Sequence, residues 1–295
     1  MNITNNLKDD ILHAPNWFHQ AIQDKPEDKI FEHKLGNVSY SKWVTSSANK
    51  NLIVLLHGGG AHKKWWDPIG PQIKEIGNII AIDLPGMGYS DFREKYSIVD
   101  YGNCVTDIIE KEKLDHGLET VNIVGHSLGG HVAGYIATER KDLITNVIII
   151  DTFIRPPNYD PSKHRGPLAM IRYYPDKNTI LNRFKLMPSQ ECLNDWYVRY
   201  IAEYSIKQTK DGWRWRFDEV VFTSLERLFK YHYSFSCPAL FVHGANSLLT
   251  SGHLLENVKS MYGNIMEFIE IPGAAHHVPL DKPHEVIKLI KDRCG

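Results

Sequence analysis

Ser127 stands in Gly125-His126-Ser127-Leu128-Gly129, between the apolar run "TVNIVGHS" and a segment of helical length, Leu128–Arg140. A strand that turns sharply into a helix strains its central residue, and flanking glycines leave the backbone room to fold back. A serine so placed presents Oγ at the strand's C-terminal edge and at a helix N-terminus. The N–H of Leu128 points at the same spot, ready for an oxyanion. A glycine-rich turn with a serine cap is the plainer account. Strand before, helix after and both glycines in place favour a nucleophile.

His57-Gly58-Gly59-Gly60 follows an earlier apolar run, "NLIVLLHG". Three glycines let the backbone approach a substrate closely, and the N–H of Gly59 is expected to join that of Leu128 in an oxyanion hole. No G-x-x-x-x-G-K-[ST] or G-x-G-x-x-G pattern occurs, so a phosphate cradle is disfavoured. His57 itself reads as a structural hydrogen-bonding residue under the loop. Late in the chain, "IPGAAHHVPLDKP" offers His276 or His277 as a general base. Adjacent histidines on a loop, without H-E-x-x-H or a cysteine cluster, are weak grounds for zinc. No metal and no cofactor are expected.

These residues need a scaffold. "NLIVLLHG", "NIIAIDLP", "TVNIVGHS" and "ITNVIIIDT" are continuous apolar runs, as expected for strands buried on both faces of a parallel sheet. Helical lengths separate them at Trp66–Ile76, Ser97–His116 and Leu128–Arg140. Upstream, "KIFEHKLG" and "VSYSKWVT" meet at Gly36-Asn37, which suits a hairpin. The alternation stops after Asp151 and resumes with "PALFVHG", a helix near Leu254–Tyr262, the strand "IMEFIEIPG" and a helix from Pro283. The expectation is an α/β fold: a mostly parallel sheet of about eight strands, helices on both faces, and a helical insertion after the sixth strand. The core is then 1–151 with 237–295, and the insertion 152–236.

The chain has 295 residues, 42% hydrophobic, ample for one sizeable core. Net charge is −1, so no basic footprint suggests nucleic acid or an anionic membrane. Four separated cysteines fit free thiols in a reducing compartment. With neither a signal-like N-terminus nor a run long enough for a membrane span, a cytoplasmic location is expected.

Together, the HGGG loop, "DLPGMGYSD", GHSLGG and "GAAHHVPLD", in that order, resemble the α/β-hydrolase superfamily from about Lys29 to the C-terminus. The resemblance implies a cofactor-independent serine hydrolase with a helical cap, and it assigns the base to His276. Similar GHSLGG proteins include carboxylesterases, lactonases, C–C bond hydrolases of ring-cleavage products and cofactor-free dioxygenases. Most place the triad acid as Gly-x-x-Asp after the strand matching "PALFVHG". Here Gly244-Ala245-Asn246-Ser247 puts a serine there, which cannot carry the negative charge. Other members place the acid at the end of the preceding strand, where this chain has Asp151 in "VIIIDTF". Asp151 would leave the same rim as Ser127 and orient the imidazole. An Asx cap of the next turn is the alternative role. Ser247 is expected to be dispensable, and Asp83 to pin the Pro-Gly turn.

A cap over the rim makes a mostly apolar pocket. Gly58, Gly60, Trp66, His126, Trp196 and Trp213 are expected to contribute to it. Tyr197, Tyr200 and Tyr204 fall on one helix face and read as core. The expected activity is carboxylesterase-like cleavage of a small to medium apolar ester through an acyl-enzyme. Ring-cleavage C–C hydrolysis or cofactor-free dioxygenation is the chemical alternative. A catalytically silent ligand-binding module is the alternative of another class.

Overall fold

The computed structural model describes residues 11–45, 49–155, 170–226 and 231–295. Its strands are β1 (Glu27–Phe31), β2 (Val38–Trp43), β3 (Asn51–Leu56), β4 (Asn78–Ile82), β5 (Thr120–His126), β6 (Asn146–Ile150), β7 (Ile206–Thr209), β8 (Gly212–Trp215), β9 (Ala239–Gly244) and β10 (Glu267–Ile271). Eight form one sheet in the order β1-β2-β4-β3-β5-β6-β9-β10. The pairs β1/β2 and β2/β4 are antiparallel and all the others parallel.

The central strands are apolar on both faces because helices cover both. Side chains alternate along a strand. Leu52, Val54 and Leu56 of β3 therefore join one core, while Ile53 and Leu55 join the other. The first core is closed by the helices Ile98–His116, Leu128–Glu139 and His253–Tyr262. The second is closed by Gly70–Ile73 and Pro283–Cys294. The helix Ile98–His116 starts where Ser97 Oγ accepts from the Asp100 N–H and stops at Gly117, which takes a left-handed conformation. The helix expected over Trp66–Ile76 is instead broken into Lys63–Trp66, Gly70–Ile73 and Lys74–Ile76. Pro68 and Pro71 remove N–H donors within that stretch.

Register places the site. His126 pairs with Ile150 across β5 and β6, and Ile150 pairs with Val242 across β6 and β9. Residues 127 and 151 therefore leave the sheet side by side. Between β6 and β9 lies the insertion, with helices Lys177–Leu181, Asp195–Tyr204 and Val220–Ser224. It is not purely helical, as expected, but also carries the antiparallel hairpin β7–β8. The alternating "WRWRF" is its sequence signature.

An unexpected helix, Asn16–Gln23, packs on this insertion. Phe18 is fully buried and meets Trp196 with ring centres 4.5 Å apart. Tyr197 and Tyr200 belong to the same apolar cluster. Their hydroxyls donate to Trp65 O at 2.6 Å and Asp67 Oδ2 at 2.7 Å. Tyr197 and Tyr200 are core, and they fasten the insertion to the segment that follows the HGGG loop, whereas Tyr204 is half-buried outside the cluster.

Candidate active site

Only Ser127 separates β5 from the next helix, and it turns with φ 53° and ψ −114°. Such a conformation costs on the order of 1–3 kcal/mol in a residue with a side chain and persists only where its surroundings enforce it. They do. Ser127 N–H donates to Ile150 O at 2.9 Å, and its carbonyl accepts from Gly130 N–H and Thr152 Oγ1, each at 3.0 Å. The glycines are required by contact. A Cβ on Gly125 would lie 2.1 Å from Gly129 O, one on Gly129 2.5 Å from Leu56 O, and one on Gly130 2.0 Å from Thr152 Oγ1.

Asp151 takes the second unusual backbone, φ 44°, with its N–H on Val242 O at 2.7 Å. Its carboxylate is wholly buried. Oδ1 meets His276 Nδ1 at 2.8 Å and Ser247 Oγ at 2.7 Å, while Oδ2 accepts from Gly244 N–H and Thr250 Oγ1, each at 2.8 Å. Ser247 is thus no bystander: at the place usual for an acid, its hydroxyl donates to the carboxylate from the neighbouring strand. Thr250 was not visible as a partner in the sequence, because it lies eight residues beyond Val242, the last apolar residue of β9.

Of the two loop histidines, only His276 reaches the acid. His277 N–H donates to Gln190 Oε1 at 3.0 Å, and the Gln190 amide donates to Asp281 at 2.8 Å, so the insertion also holds this loop. Burial pushes the His277 imidazole well below its ordinary pKa, with the neighbouring His276 and His126 rings adding to it. His126 is held down to about 3, again by burial first, and its Nε2 meets His276 O at 2.9 Å. Both rings are neutral at physiological pH.

His57 stays beneath the glycine loop. Its Nδ1 donates to Gly58 O at 2.7 Å, its Nε2 accepts from Leu84 N–H at 3.0 Å, and burial lowers its pKa to about 4. Asp83 accepts from the N–H groups of Lys63 at 2.6 Å and Tyr89 at 2.9 Å, which pins the Pro-Gly turn. Gly60 turns with φ 73°, and its N–H faces Met87 Sδ at 3.2 Å. Among the described residues nothing accepts from the N–H of Gly59 or Leu128. The two residues are neighbours: a Cβ on Gly59 would lie 3.8 Å from Leu128 Cδ2.

Ser127, Leu128, Gly59, Gly60 and His276 border one cavity of about 680 Å³. Its walls are mostly apolar, with Phe184, Leu186, Met187, Trp215, Phe217 and Phe222 from the insertion. Several residues expected there lie elsewhere. Trp66 faces the sheet core, Trp196 packs on Phe18, and Trp213 packs on the Ile180–Leu181 cluster. Gly58 and His126 sit behind Ser127: a Cβ on Gly58 would lie 3.1 Å from His126 Nδ1 and 3.3 Å from Ser127 Cβ. Trp65 and Trp215, each beside an expected tryptophan, line the cavity instead. Which tryptophan of each set faces the cavity depends on packing that the sequence does not display.

A model of the alpha/beta hydrolase fold matches residues 51–283. Esterase Rv0045c of Mycobacterium tuberculosis is 24% identical over 282 residues, spanning 92% of this chain and 91% of that protein. Esterase YbfF of Escherichia coli is 22% identical over 246 residues, spanning 82% and 92%. Among solved structures, the thioesterase domain from the curacin biosynthetic pathway superposes with a TM-score of 0.72 at 19% identity, over 90% of this chain and 99% of that one.

Proposed function

The chain belongs to the alpha/beta hydrolase family, and from that premise we propose a serine hydrolase that cleaves small to medium apolar esters, carboxylesterase-like, through an acyl-enzyme. The reading rests on one observation above the others. A buried carboxylate holds His276 Nδ1 at 2.8 Å on the rim where Ser127 turns out of the sheet. Asp151 fixes the tautomer that leaves Nε2 free to accept a proton.

Ser127 Oγ attacks the ester carbonyl while His276 Nε2 takes its proton. The oxyanion is held by the N–H groups of Gly59 and Leu128, neither of which has a partner among the described residues. Collapse of the intermediate expels the alcohol, which leaves with the proton from His276. Water then attacks the acyl-enzyme, His276 accepts the water proton, and the carboxylic acid departs as Ser127 is reprotonated. The apolar walls suit an acyl chain, and a cavity of about 680 Å³ holds a small to medium substrate. The described residues 170–226 of the insertion serve as its lid.

A fluorophosphonate probe tests the nucleophile, with hydrolysis of p-nitrophenyl esters of increasing chain length beside it. Labelling of wild type at Ser127 and none of Ser127→Ala is expected, with turnover falling by at least about a thousandfold. An unlabelled wild-type serine, or a Ser127→Ala protein of comparable rate, would refute the reading.

A further inference from the structure

His126, His276 and His277 meet behind the rim, their ring centres 4.9, 5.5 and 4.8 Å apart. One ring nitrogen of each lies within 4.8 Å of one from both others, and this is the one such trio among the described residues. A tetrahedral ion bound by imidazoles at about 2.0–2.1 Å would set their ring centres roughly 5 Å apart.

Lone pairs are available. The His276 carbonyl only accepts, so the proton of that hydrogen bond sits on His126 Nε2, and buried Nδ1 has no partner. The Asp151 carboxylate accepts a hydrogen bond from His276 Nδ1–H, which leaves the lone pair on Nε2. His277 is 4% exposed, and neither ring nitrogen makes a hydrogen bond of good geometry, although the Pro188 carbonyl lies beside the ring. A buried polar group without partners needs a reason. Three converging imidazoles, one from the elbow and two from the late loop, supply a common one.

We propose that His126, His276 and His277 form an inhibitory site for a divalent transition ion of the zinc, nickel or copper kind. Imidazole nitrogen suits these ions, whereas calcium and magnesium require oxygen ligands that the trio lacks. The ion enters through the cavity, which both His276 and His277 border. Bound at His276 Nε2, it occupies the lone pair that accepts the Ser127 proton. Inhibition therefore rests on His276 being the base, whereas ion binding does not.

The test separates the two. Metal-free Ser127→Ala protein is titrated with Co²⁺, and one equivalent should produce the visible absorption of a four-coordinate ion. His126→Gln and His277→Gln should each weaken this binding by at least about tenfold. In wild type, Co²⁺ should raise Tm and Ca²⁺ should not, a comparison that needs no variant. Zn²⁺ should inhibit ester hydrolysis reversibly on chelation, and His277→Gln should need at least about tenfold more Zn²⁺, each enzyme measured against its own metal-free rate. Absence of one-equivalent binding, binding by both variants as tight as that of the Ser127→Ala parent, or full hydrolysis with the ion bound would overturn the proposal. A wild type that cleaves no ester yet binds Co²⁺ through His126 and His277 upholds the ion site and refutes only the hydrolase reading.

Discussion

Replacing Asp151 by Asn tests how the acid works, because the surrounding donors dictate how the amide must sit. Oδ2 accepts from the Gly244 N–H, a backbone group that cannot rotate or accept. The Asn oxygen is therefore drawn to that side, and its NH₂ faces Ser247 Oγ and His276 Nδ1. Ser247 adapts by turning its hydroxyl. His276 adapts only by moving its proton to Nε2, the tautomer that cannot accept from Ser127. The opposite amide orientation sets NH₂ against N–H in a buried site, a penalty of about 1–3 kcal/mol, or roughly 5- to 150-fold in the competent population. Loss of the charge that stabilises the imidazolium comes on top, and about 10⁴-fold in kcat is the usual total for such a change. The expected result is kcat down by about 10³–10⁴ near neutral pH with Tm little altered, read from p-nitrophenyl ester hydrolysis and a thermal melt. An Asp151→Asn enzyme within about tenfold of wild type would refute the reasoning. Activity regained in Asp151→Asn/Ser247→Asp would show that positions 151 and 247 serve one imidazole.

Ser247→Ala removes a buried donor to the carboxylate and should cost about 1.5–3 kcal/mol of stability, measured by denaturant unfolding; an unchanged midpoint would contradict that role. His276→Ala should lose as much turnover as Ser127→Ala and His277→Ala distinctly less, and the reverse order would reassign the base. Gly125→Ala drives a methyl onto the Gly129 carbonyl, which cannot swing away, so a loss of about 3 kcal/mol or more and a lower Tm are expected. Stability should also fall on acidification. His57 (about 4), His62 (about 3), His126 (about 3) and His277 stay neutral when folded but gain protons once unfolded, so what they contribute is complete above their ordinary 6.5 and is lost as pH falls. Asp67 and Asp83, both raised to about 6 by burial, oppose this between their ordinary 3.8 and 6, since they bind protons more readily when folded. With four buried imidazoles against these two carboxylates, the net effect is a loss of stability as pH falls from 7 to 5. A Tm that holds or rises from pH 7 to 5 would contradict it.

The alternation of apolar runs with helical lengths, the elbow glycines and the HGGG loop were legible because each records a local demand. Gly125, Gly129 and Gly130 stand where any side chain would strike backbone or Thr152, and the continuous runs of β3 to β6 reflect burial on two faces. Even the position of Asp151 could be read, since an acid one residue past a buried strand must emerge on the rim. Which of the His276 and His277 rings meets Asp151, the Ser247 and Thr250 bonds to Asp151, the cavity walls and the docking of the Asn16–Gln23 helix were decided by tertiary structure. Adjacent loop histidines differ only in direction, which the Gln190 and Asp281 contacts set from elsewhere in the chain. Trp65 and Trp66, alike in sequence, go to the cavity and to the sheet core. Residue type and spacing express what a backbone must do locally, whereas the aim of a side chain depends on packing between segments far apart in sequence.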